Sequence, residues 1–227
     1  LFPSVLAARP RQRKEGKTMN RGILTVVSGF SGSGKGTIMK ALLERYDNYA
    51  LSVSATTRSP REGELDGREY FFKTEEEFQR MIAANQFIEY AQYVDHYYGT
   101  PREYVERCLE EGRNVILEIE VQGARKVKEI IPEAILVFVT PPNAKELRAR
   151  LIGRGTESME VIESRLSRAN EEAKVMEDYD YILINDDLDQ CVDAFHGLIQ
   201  SERRRMNRNK EFQRKIQEEL KEFLKGE

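Results

Sequence analysis

The sequence predicts an α/β protein built on a parallel sheet of five strands that is flanked by helices. Five short apolar runs, rich in β-branched residues, alternate with stretches of helical character. Nearly continuous apolar runs suit strands that helices bury on both faces, and such alternation is typical of a parallel sheet. The predicted strands are Ile23–Val27, Tyr49–Val53, Asn114–Ile119, Ala134–Val139 and Tyr181–Ile184.

The predicted helices lie between and after these strands. The helix at Pro101–Glu111 has a clear end, because Gly112 follows it and glycine commonly terminates helices. The other predicted helices are Thr37–Tyr46, Ala144–Ile152, Glu160–Met176 and a last one from Leu188 onward.

One segment, from about Thr56 to Gly99, breaks the alternation and predicts a small inserted α+β domain. It combines turn-forming dipeptides with two short aromatic strands, Tyr70–Phe72 and Phe87–Tyr93. Thr74 and Glu77 have the spacing of a capping box, which marks the start of a helix. We therefore predict one domain over residues 19–205, with a core of about 20–53, 101–147 and 170–205, an insertion of about 54–100 and a lid of about 148–169.

Composition excludes several classes of protein. The 227 residues are 33% charged, but the formal net charge is only −3, which argues against a protein dedicated to coating nucleic acid. Cys108 and Cys191 lie far apart, so a disulfide framework or zinc site is not expected and a reducing compartment is. No apolar run approaches the roughly 18 residues of a membrane span. We expect a cytoplasmic protein with no membrane or nucleic-acid partner.

The two ends of the chain differ from the rest. Residues 1–18 are rich in arginine and lysine with a lone acid, and they fit a leader, a disordered basic arm or an organelle transit peptide. Residues 206–227 predict a charged C-terminal helix. Its apolar stripe fits either packing against the core or contact with another copy of the chain, so the protein is a monomer or a homo-oligomer. The stripe comprises Phe212, Ile216, Leu220, Phe223 and Leu224.

A glycine-rich loop predicts a phosphate-binding site between the first strand and the first helix. Gly29, Gly34 and Lys35 satisfy the G-x-x-x-x-G-K pattern of a P-loop in the context that the pattern requires. Glycines let backbone N–H groups wrap around phosphate oxygens, and the helix start adds its positive dipole end. The predicted ATP-binding residues of this loop are Gly29, Phe30, Ser31, Gly32, Ser33, Gly34, Lys35, Gly36 and Thr37.

The residue after the P-loop lysine departs from the common pattern. Gly36 stands where Ser or Thr usually ligates magnesium, and the hydroxyl comes one residue later at Thr37. A G-K-G-T ending resembles nucleoside monophosphate kinases, in which nucleotide oxygens and water hold most of the ion. We therefore expect Mg²⁺ to be the cofactor, with ATP as co-substrate and few direct protein ligands.

The inserted segment indicates which molecule accepts the phosphate. It reads SVSATTRSPREGELDGREYFF at 52–72 and FIEYAQYVDHYYGTP at 87–101. Two arginines and two tyrosines can orient a monophosphate, and a carboxylate is a natural acceptor for the N1–H and N2–H₂ edge of guanine. With LEIEVQGA, RLIGRGTES and INDD further along, the chain closely resembles guanylate kinases over about 22–205.

This resemblance implies roles for individual residues. Glu89 would read the guanine edge, with Ser54 and Thr100 on its other acceptors, and the phosphate of GMP would bind Arg58, Arg61, Tyr70 and Tyr98. Glu118 and Glu120 resemble an acidic pair near the base and the magnesium, although a structural ion pair remains an alternative for them. The lid contacts would be Arg150, Arg154 and Arg165, and Asn185 would touch adenine.

The implied reaction transfers the γ-phosphoryl group of ATP to GMP, and by extension to dGMP. No general base is needed, because a phosphate monoester is already largely ionised at neutral pH. Catalysis then rests on alignment and charge neutralisation by Lys35, Arg58 and the lid arginines. Two alternatives stay open: a scaffolding module that resembles these kinases but binds phosphopeptides, and a kinase of another phosphorylated acceptor.

Overall fold

The computed structural model describes residues 21–93, 95–153, 155 and 158–225. Its centre is a five-stranded, fully parallel sheet, which confirms the predicted α/β class and sheet. The strands are β1 Leu24–Gly29, β2 Tyr49–Leu51, β7 Asn114–Glu118, β8 Ile135–Thr140 and β9 Tyr181–Ile184. They lie side by side in the order β2-β7-β1-β8-β9, and their bounds agree with the prediction to within two residues.

Helices cover both faces of this sheet and bury alternate residues of its strands. On one face Val27 packs with α1 (Lys35–Arg45) and α7 (Leu188–Arg203). On the other face Val26 packs with α3 (Arg102–Glu110) and α4 (Val121–Ile130). A third cluster joins α5 (Ala144–Gly153) and α6 (Met159–Ala173) to the edge where the glycine-rich loop lies. These contacts hold that loop between two layers of helices.

The insertion contains a second, smaller sheet. Its strands are β3 Ala55–Thr56, β4 Phe71–Phe72, β5 Phe87–Tyr93 and β6 His96–Pro101, in the order β4-β3-β6-β5, and α2 (Glu75–Ala83) packs against them. The capping box of α2 is present, because Thr74 accepts from the backbone of Glu77 and the Glu77 side chain accepts from the backbone of Thr74. Phe78 of α2 is fully buried in a small cluster with Ala55 and Phe87.

Three elements were missing from the sequence prediction. The two-residue strand β3 pairs with β4 and β6 from later in the chain, and β6 also pairs with the neighbouring strand β5, so pairing and not a local pattern identifies β3 and β6. The helix α4 begins directly after β7 with no side-chain cap and carries a glycine in its first turn, so it lacks the usual start signal. This helix matters for the site, because Lys126 Nζ donates to the carbonyl oxygen of Tyr90 and so links α4 to β5.

The C-terminal helix α8 (Lys210–Lys225) does not pack against the core. None of its residues from 210 to 224 is buried, and the five residues of the predicted apolar stripe are between 39% and 79% exposed. The prediction of a helix here is confirmed, while the alternative in which it lies on the core is wrong. Among the described residues, no helix is both long and apolar enough to cross a membrane.

Candidate active site

The glycine-rich loop occupies the carboxyl edge of the parallel sheet, where ligands bind in open α/β folds. Gly29 has φ 147° and Gly34 has φ 90°, both outside the range that other residues adopt readily. A Cβ atom at Gly29 would lie 2.0 Å from the carbonyl oxygen of Val139, and one at Gly34 would lie 2.4 Å from Asn185 Nδ2. The main chain therefore needs glycine at both positions. At Gly36, in contrast, a Cβ would meet nothing within 4 Å, so packing does not explain this departure from the usual sequence.

Lys35 begins α1 and extends back over the loop. Its Nζ donates to the carbonyl oxygens of Gly29 at 2.7 Å and Phe30 at 3.2 Å. Gly36 and Thr37 follow in the exposed first turn of α1. The loop, the lysine and the positive end of the helix dipole thus concentrate positive charge and hydrogen-bond donors at one point. This arrangement suits the β- and γ-phosphates of a nucleoside triphosphate.

Two further predicted residues contact the loop from distant parts of the chain. Asn185 follows β9 and is buried, and its Nδ2 donates to the carbonyl oxygen of Ser33 at 2.8 Å. Arg165 of α6 donates to the hydroxyl of Ser31. The structure therefore brings the INDD segment and one lid arginine to the loop. The adenine contact predicted for Asn185 stays a prediction.

The other two arginines predicted for the lid, Arg150 and Arg154, have no described contact with the glycine-rich loop. Arg150 Nε donates to Glu146 Oε1 at 2.8 Å, an ion pair within α5. Arg154 lies outside the described residues, as do residues 1–18, for which a leader, a disordered arm or a transit peptide is predicted. The lid role of all three arginines and the domain boundaries stay predictions.

Glu89 and Thr100 form a buried pair in the small sheet. Glu89 is only 7% exposed and Thr100 is fully buried, and the Thr100 hydroxyl donates to Glu89 Oε1 at 2.8 Å. Burial raises the pKa of Glu89, and the bond from Thr100 and the charge of Lys126 oppose that shift. Gly123 of α4 approaches the same carboxyl group, since a Cβ there would lie 3.3 Å from Glu89 Oε2. A carboxylate in this setting can be held in one orientation toward a hydrogen-bond donor.

The predicted phosphate-binding side chains gather at one end of the small sheet. Arg58 lies over the rings of Tyr70 and Phe72, with its Cζ atom 5.4 Å and 5.9 Å from their centroids. The rings of Tyr70 and Tyr98 meet edge to face at 6.0 Å. Burial raises the pKa of Tyr70, so its hydroxyl remains a neutral donor. Arg61 is exposed on the adjoining loop.

Ser54 precedes β3 and is half-buried. Its carbonyl oxygen accepts from the backbone N–H of Phe71, which joins the start of β3 to β4. The serine is therefore held on the small sheet by its main chain. Its predicted contact with guanine stays a prediction.

The two acids at the end of β7 have different surroundings. Glu118 reaches solvent, yet the protein around it raises the pKa of its carboxyl group, and the charge of Lys35 opposes this shift. Glu120 immediately precedes α4 and accepts a 2.7 Å hydrogen bond from Arg168 Nη2. The structural ion pair left open from the sequence is thus present for Glu120. Its contact with guanine stays a prediction.

Sequence reasoning missed an ion-pair group, formed by Arg168 and Glu172, that joins α6 to Glu120 at the carboxyl edge of the parallel sheet. Arg168 also donates to Glu172 Oε1 at 3.0 Å, and Glu172 is only 7% exposed. Burial and the nearby charge of Glu120 raise the pKa of Glu172, while Arg168 and Lys35 oppose the shift. The spacing of Arg168 and Glu172 was the one available signal. An (i, i+4) pair on a charged helix usually indicates only a solvated surface.

The residues present fit a magnesium ion that arrives with a nucleotide. Within the described part of the chain, no group of three or more His, Cys, Asp or Glu side chains is arranged to hold a metal. Glu118 ends β7 at the carboxyl edge, where the charge of Lys35 acts on its carboxyl group, and Thr37 offers a hydroxyl in the first turn of α1. Mg²⁺ commonly uses one or two protein oxygens and completes its octahedron with phosphate and water.

Comparisons with known proteins agree with this geometry. The guanylate kinase family model matches residues 21–202. The guanylate kinase of Caldanaerobacter subterraneus subsp. tengcongensis is 53% identical, over 88% of this chain and 97% of that protein. The guanylate kinase of Clostridioides difficile is 49% identical, over 91% and 99% respectively. A crystal structure of guanylate kinase from Anaplasma phagocytophilum superimposes with a TM-score of 0.66 and 33% identity, covering 83% of this chain and 90% of that one. This chain therefore belongs to the guanylate kinase family.

Proposed function

We propose that this chain catalyses the reaction ATP + GMP → ADP + GDP, and accepts dGMP as well. The observation that carries the proposal is the pairing of two sites of different chemistry. A glycine-rich loop with Lys35 suits a triphosphate, and a small sheet with a buried carboxylate at Glu89 suits a guanine base. Adenine presents an acceptor where guanine has N1–H, so the carboxylate favours guanine.

In the proposed reaction a phosphate oxygen of GMP attacks the γ-phosphorus of ATP in line. The bond to the β–γ bridging oxygen breaks and ADP leaves. Lys35 stabilises charge on the migrating group, and Arg58 with Tyr70 and Tyr98 orients the GMP phosphate. Arg165, which contacts the loop through Ser31, brings charge from the lid side.

We assign Mg²⁺ as the cofactor, bound mainly by nucleotide oxygens and water. Thr37 and Glu118 are the residues of this chain that would hold or orient it. The ion supplies neutralisation of phosphate charge when bound. Exclusion of water from the transferring group is then the task of α5, α6 and the small sheet.

The test is release of ADP with a panel of acceptors: GMP, dGMP, AMP, UMP and ribose phosphates. We expect rapid ADP release from ATP when the acceptor is GMP or dGMP, and slow release with each of the other acceptors. Preference for another acceptor would favour a different kinase. No turnover with any acceptor, together with binding of a phosphopeptide, would favour the scaffolding alternative. The intact loop around Lys35 argues against that alternative.

We also propose a cytoplasmic location, because both cysteines are free and buried, as in proteins of reducing compartments. Neither cysteine contributes to the proposed chemistry. A fractionation experiment with the full chain would test this location, and recovery in an oxidising compartment would contradict it.

A second copy of this chain is the proposed partner of α8. An amphipathic helix gains most of its stability from packing its apolar face, and the stripe of α8 is between 39% and 79% exposed, so the stripe favours a partner surface. A groove of about 920 Å³ adjoins the first turns of α8. Its floor is apolar and its rim carries six basic side chains against three acidic ones. The rim residues are Arg21, Arg102, Arg203, Arg208, Lys210, Lys215, Glu106, Glu133 and Glu211.

Charge favours an antiparallel arrangement in which the acidic half of α8, from Glu218 to Glu222, meets this basic rim on the other copy. The basic segment 1–18 has the same charge sign as the rim and is a poorer occupant. Sedimentation should give a dimer for the wild type and for Gln217→Asp, outside the stripe, and a monomer for Leu220→Asp. A wild-type monomer at about 100 μM, or a persistent Leu220→Asp dimer, would reject the arrangement.

A further inference from the structure

One acid in the loop before β4 has no role in the proposed function, yet it joins both phosphate-binding arginines. Glu64 Oε1 accepts from Arg58 Nη2 at 2.9 Å, and Glu64 Oε2 accepts from the backbone N–H of Arg61 at 2.7 Å. Both carboxylate oxygens are therefore engaged, one by the side chain of one arginine and the other by the main chain of the other.

Burial separates this acid from the rest of its loop. Every residue from 61 to 69 is exposed except Glu64. Its side chain is 17% exposed, and that of its partner Arg58 is 13% exposed. Exposed ion pairs contribute little, whereas a pair withdrawn from water is held in a defined geometry by both partners. The Glu64–Arg58 pair is partly shielded from water, so it lies between these two kinds.

The contacts of Arg58 define its orientation on several sides. Its Nη1 donates to the carbonyl oxygen of Ser59 at 2.7 Å, and its guanidinium lies over the ring of Tyr70. A guanidinium has five N–H donors, so the bonds to Ser59 and Glu64 leave donors for a phosphate. Glu64 thus fixes the plane of the guanidinium without using up its capacity to bind an anion.

We propose that Glu64 is a positioning residue for the acceptor phosphate, which holds the Arg58 guanidinium and the Arg61 main chain in the geometry that binds GMP. The inference rests on the proposed function of the small sheet and goes beyond it by adding a residue that acts through others. A long arginine side chain loses rotamer freedom when it binds a ligand, and a preformed contact removes that cost in advance.

The opposite role would be a carboxylate that competes with the phosphate for Arg58. In that case the two oxygens would occupy the donors that the phosphate needs, and removal of Glu64 would strengthen GMP binding. The bond to the Arg61 main chain argues for positioning, because a competitor for the guanidinium has no need to organise the backbone of the next arginine.

The experiment compares Glu64→Ala and Glu64→Gln with Glu62→Gln, an exposed acid two residues away in the same loop. Glu64→Ala should raise KM for GMP by about tenfold or more, with kcat and KM for ATP changed by less than about threefold. Glu64→Gln should fall between Glu64→Ala and wild type, because its amide oxygen still accepts from Arg61 while the charge is lost. Glu62→Gln should match wild type.

A double-mutant cycle with Arg58→Ala separates positioning from a general structural role. If Glu64 acts through Arg58, Glu64→Ala should lower kcat/KM for GMP by much less in the Arg58→Ala background than in wild type. Full additivity of the two changes would overturn the proposal. A lower KM for GMP in Glu64→Ala would also overturn it and would identify a competing carboxylate.

Failure of this inference is distinguishable from failure of the proposed function. If wild type does not phosphorylate GMP, the proposed function fails. If wild type and both Glu64 variants phosphorylate GMP with equal KM, the function stands and the positioning role is rejected. Equal losses toward ATP and GMP, with a lower melting temperature, would show a role in stability alone.

Discussion

The two regions proposed to bind nucleotides are built in different ways. At the carboxyl edge of the five-stranded sheet, the main chain forms the site, and its shape is imposed by close contacts such as Gly29 with Val139. In the small sheet, side chains form the site, and Glu89 and Thr100 are brought together by strands that pair locally. In the proposed function, the first region binds the phosphates of any nucleoside triphosphate, and the second selects a base. Changes in the two regions should therefore affect different nucleotides.

The largest effect is expected from Lys35→Ala, in the first region. The lysine extends over the loop, and its charge can follow the migrating phosphoryl group. Loss of a donor of this type typically lowers kcat by about 10²–10³-fold. Single-turnover kinetics would measure the chemical step, and circular dichroism would control for folding. Near-normal turnover in the folded variant would remove the phosphate-cradle assignment.

Glu89→Gln should lower activity nearly as much as Lys35→Ala, but its effect should be confined to the use of GMP. An amide presents one acceptor oxygen and turns an NH₂ group toward a donor of guanine, so a buried donor is left unpaired. We expect a loss of about 2–4 kcal/mol in kcat/KM for GMP, from the lost charge-assisted bond and the mismatch. Steady-state kinetics with each nucleotide varied in turn would measure it. Equal losses for ATP and GMP would indicate that Glu89 supports the fold instead.

Lys35 and Glu89 also show how much of the site could be predicted from the sequence. Lys35 and the main strands follow local patterns, since a glycine-rich loop and continuous apolar runs are readable without knowledge of distant contacts. The roles given to Glu89 and Thr100 came from ordered motifs shared with a family. Chemistry alone would have allowed an ordinary structural reading of each residue.

The elements that were missed depend on contacts between distant segments. The two-residue strand β3 exists because β4 and β6 pair with it, and its Ala55 is paired with Phe71 and with Gly99, both well outside its own segment. Arg168 and Glu120 are separated by 48 positions, so their ion pair is visible only once α6 and α4 are in place. The Glu64 bond to Arg58 is local, but the burial that gives it significance is a property of the folded sheet.

A smaller effect is expected from Phe78→Ala, which weakens the core of the small sheet. Phe78 is fully buried between α2 and the strands, and loss of such a ring commonly costs about 3–5 kcal/mol in the free energy of unfolding of the unit that contains it. Because local units can open separately, KM for GMP should rise on the order of tenfold while ATP binding is retained. Phe195→Ala, in the main core, is the matched control and should lower the melting temperature of the whole domain. Equal loss of ATP binding in Phe78→Ala would show that the two sheets unfold together.

The smallest effect concerns pH. Burial raises the pKa of Glu89, so its carboxyl group becomes protonated at a higher pH than an exposed glutamate. As pH falls through that raised pKa, the group loses its ability to accept two N–H bonds, and kcat/KM for GMP should decline. The phosphate of GMP titrates with a second pKa of about 6, so Glu89→Gln serves as the control that retains only this phosphate effect. If kcat/KM for GMP declines in the same way at low pH in wild type and in Glu89→Gln, the proposed role of Glu89 is contradicted.

The same raised pKa has a consequence for stability. A carboxyl group whose pKa is higher in the folded state favours folding while it is protonated, and this contribution is lost as pH rises through the folded pKa. Removal of the charge in Glu89→Gln should therefore not lower the stability of the free protein near neutral pH. Thermal unfolding of both proteins at neutral pH would measure the difference. A large drop in the melting temperature of Glu89→Gln would indicate a structural carboxylate.

The central claim is that separate regions of this chain bind the two nucleotides. Calorimetric dissociation constants for ATP and for GMP, measured one nucleotide at a time on wild type, Lys35→Ala and Glu89→Gln, test it most directly. We predict a crossed pattern, in which Lys35→Ala weakens ATP binding and leaves GMP binding unchanged, while Glu89→Gln weakens GMP binding and leaves ATP binding unchanged. Parallel losses of both nucleotides in either variant would contradict the claim.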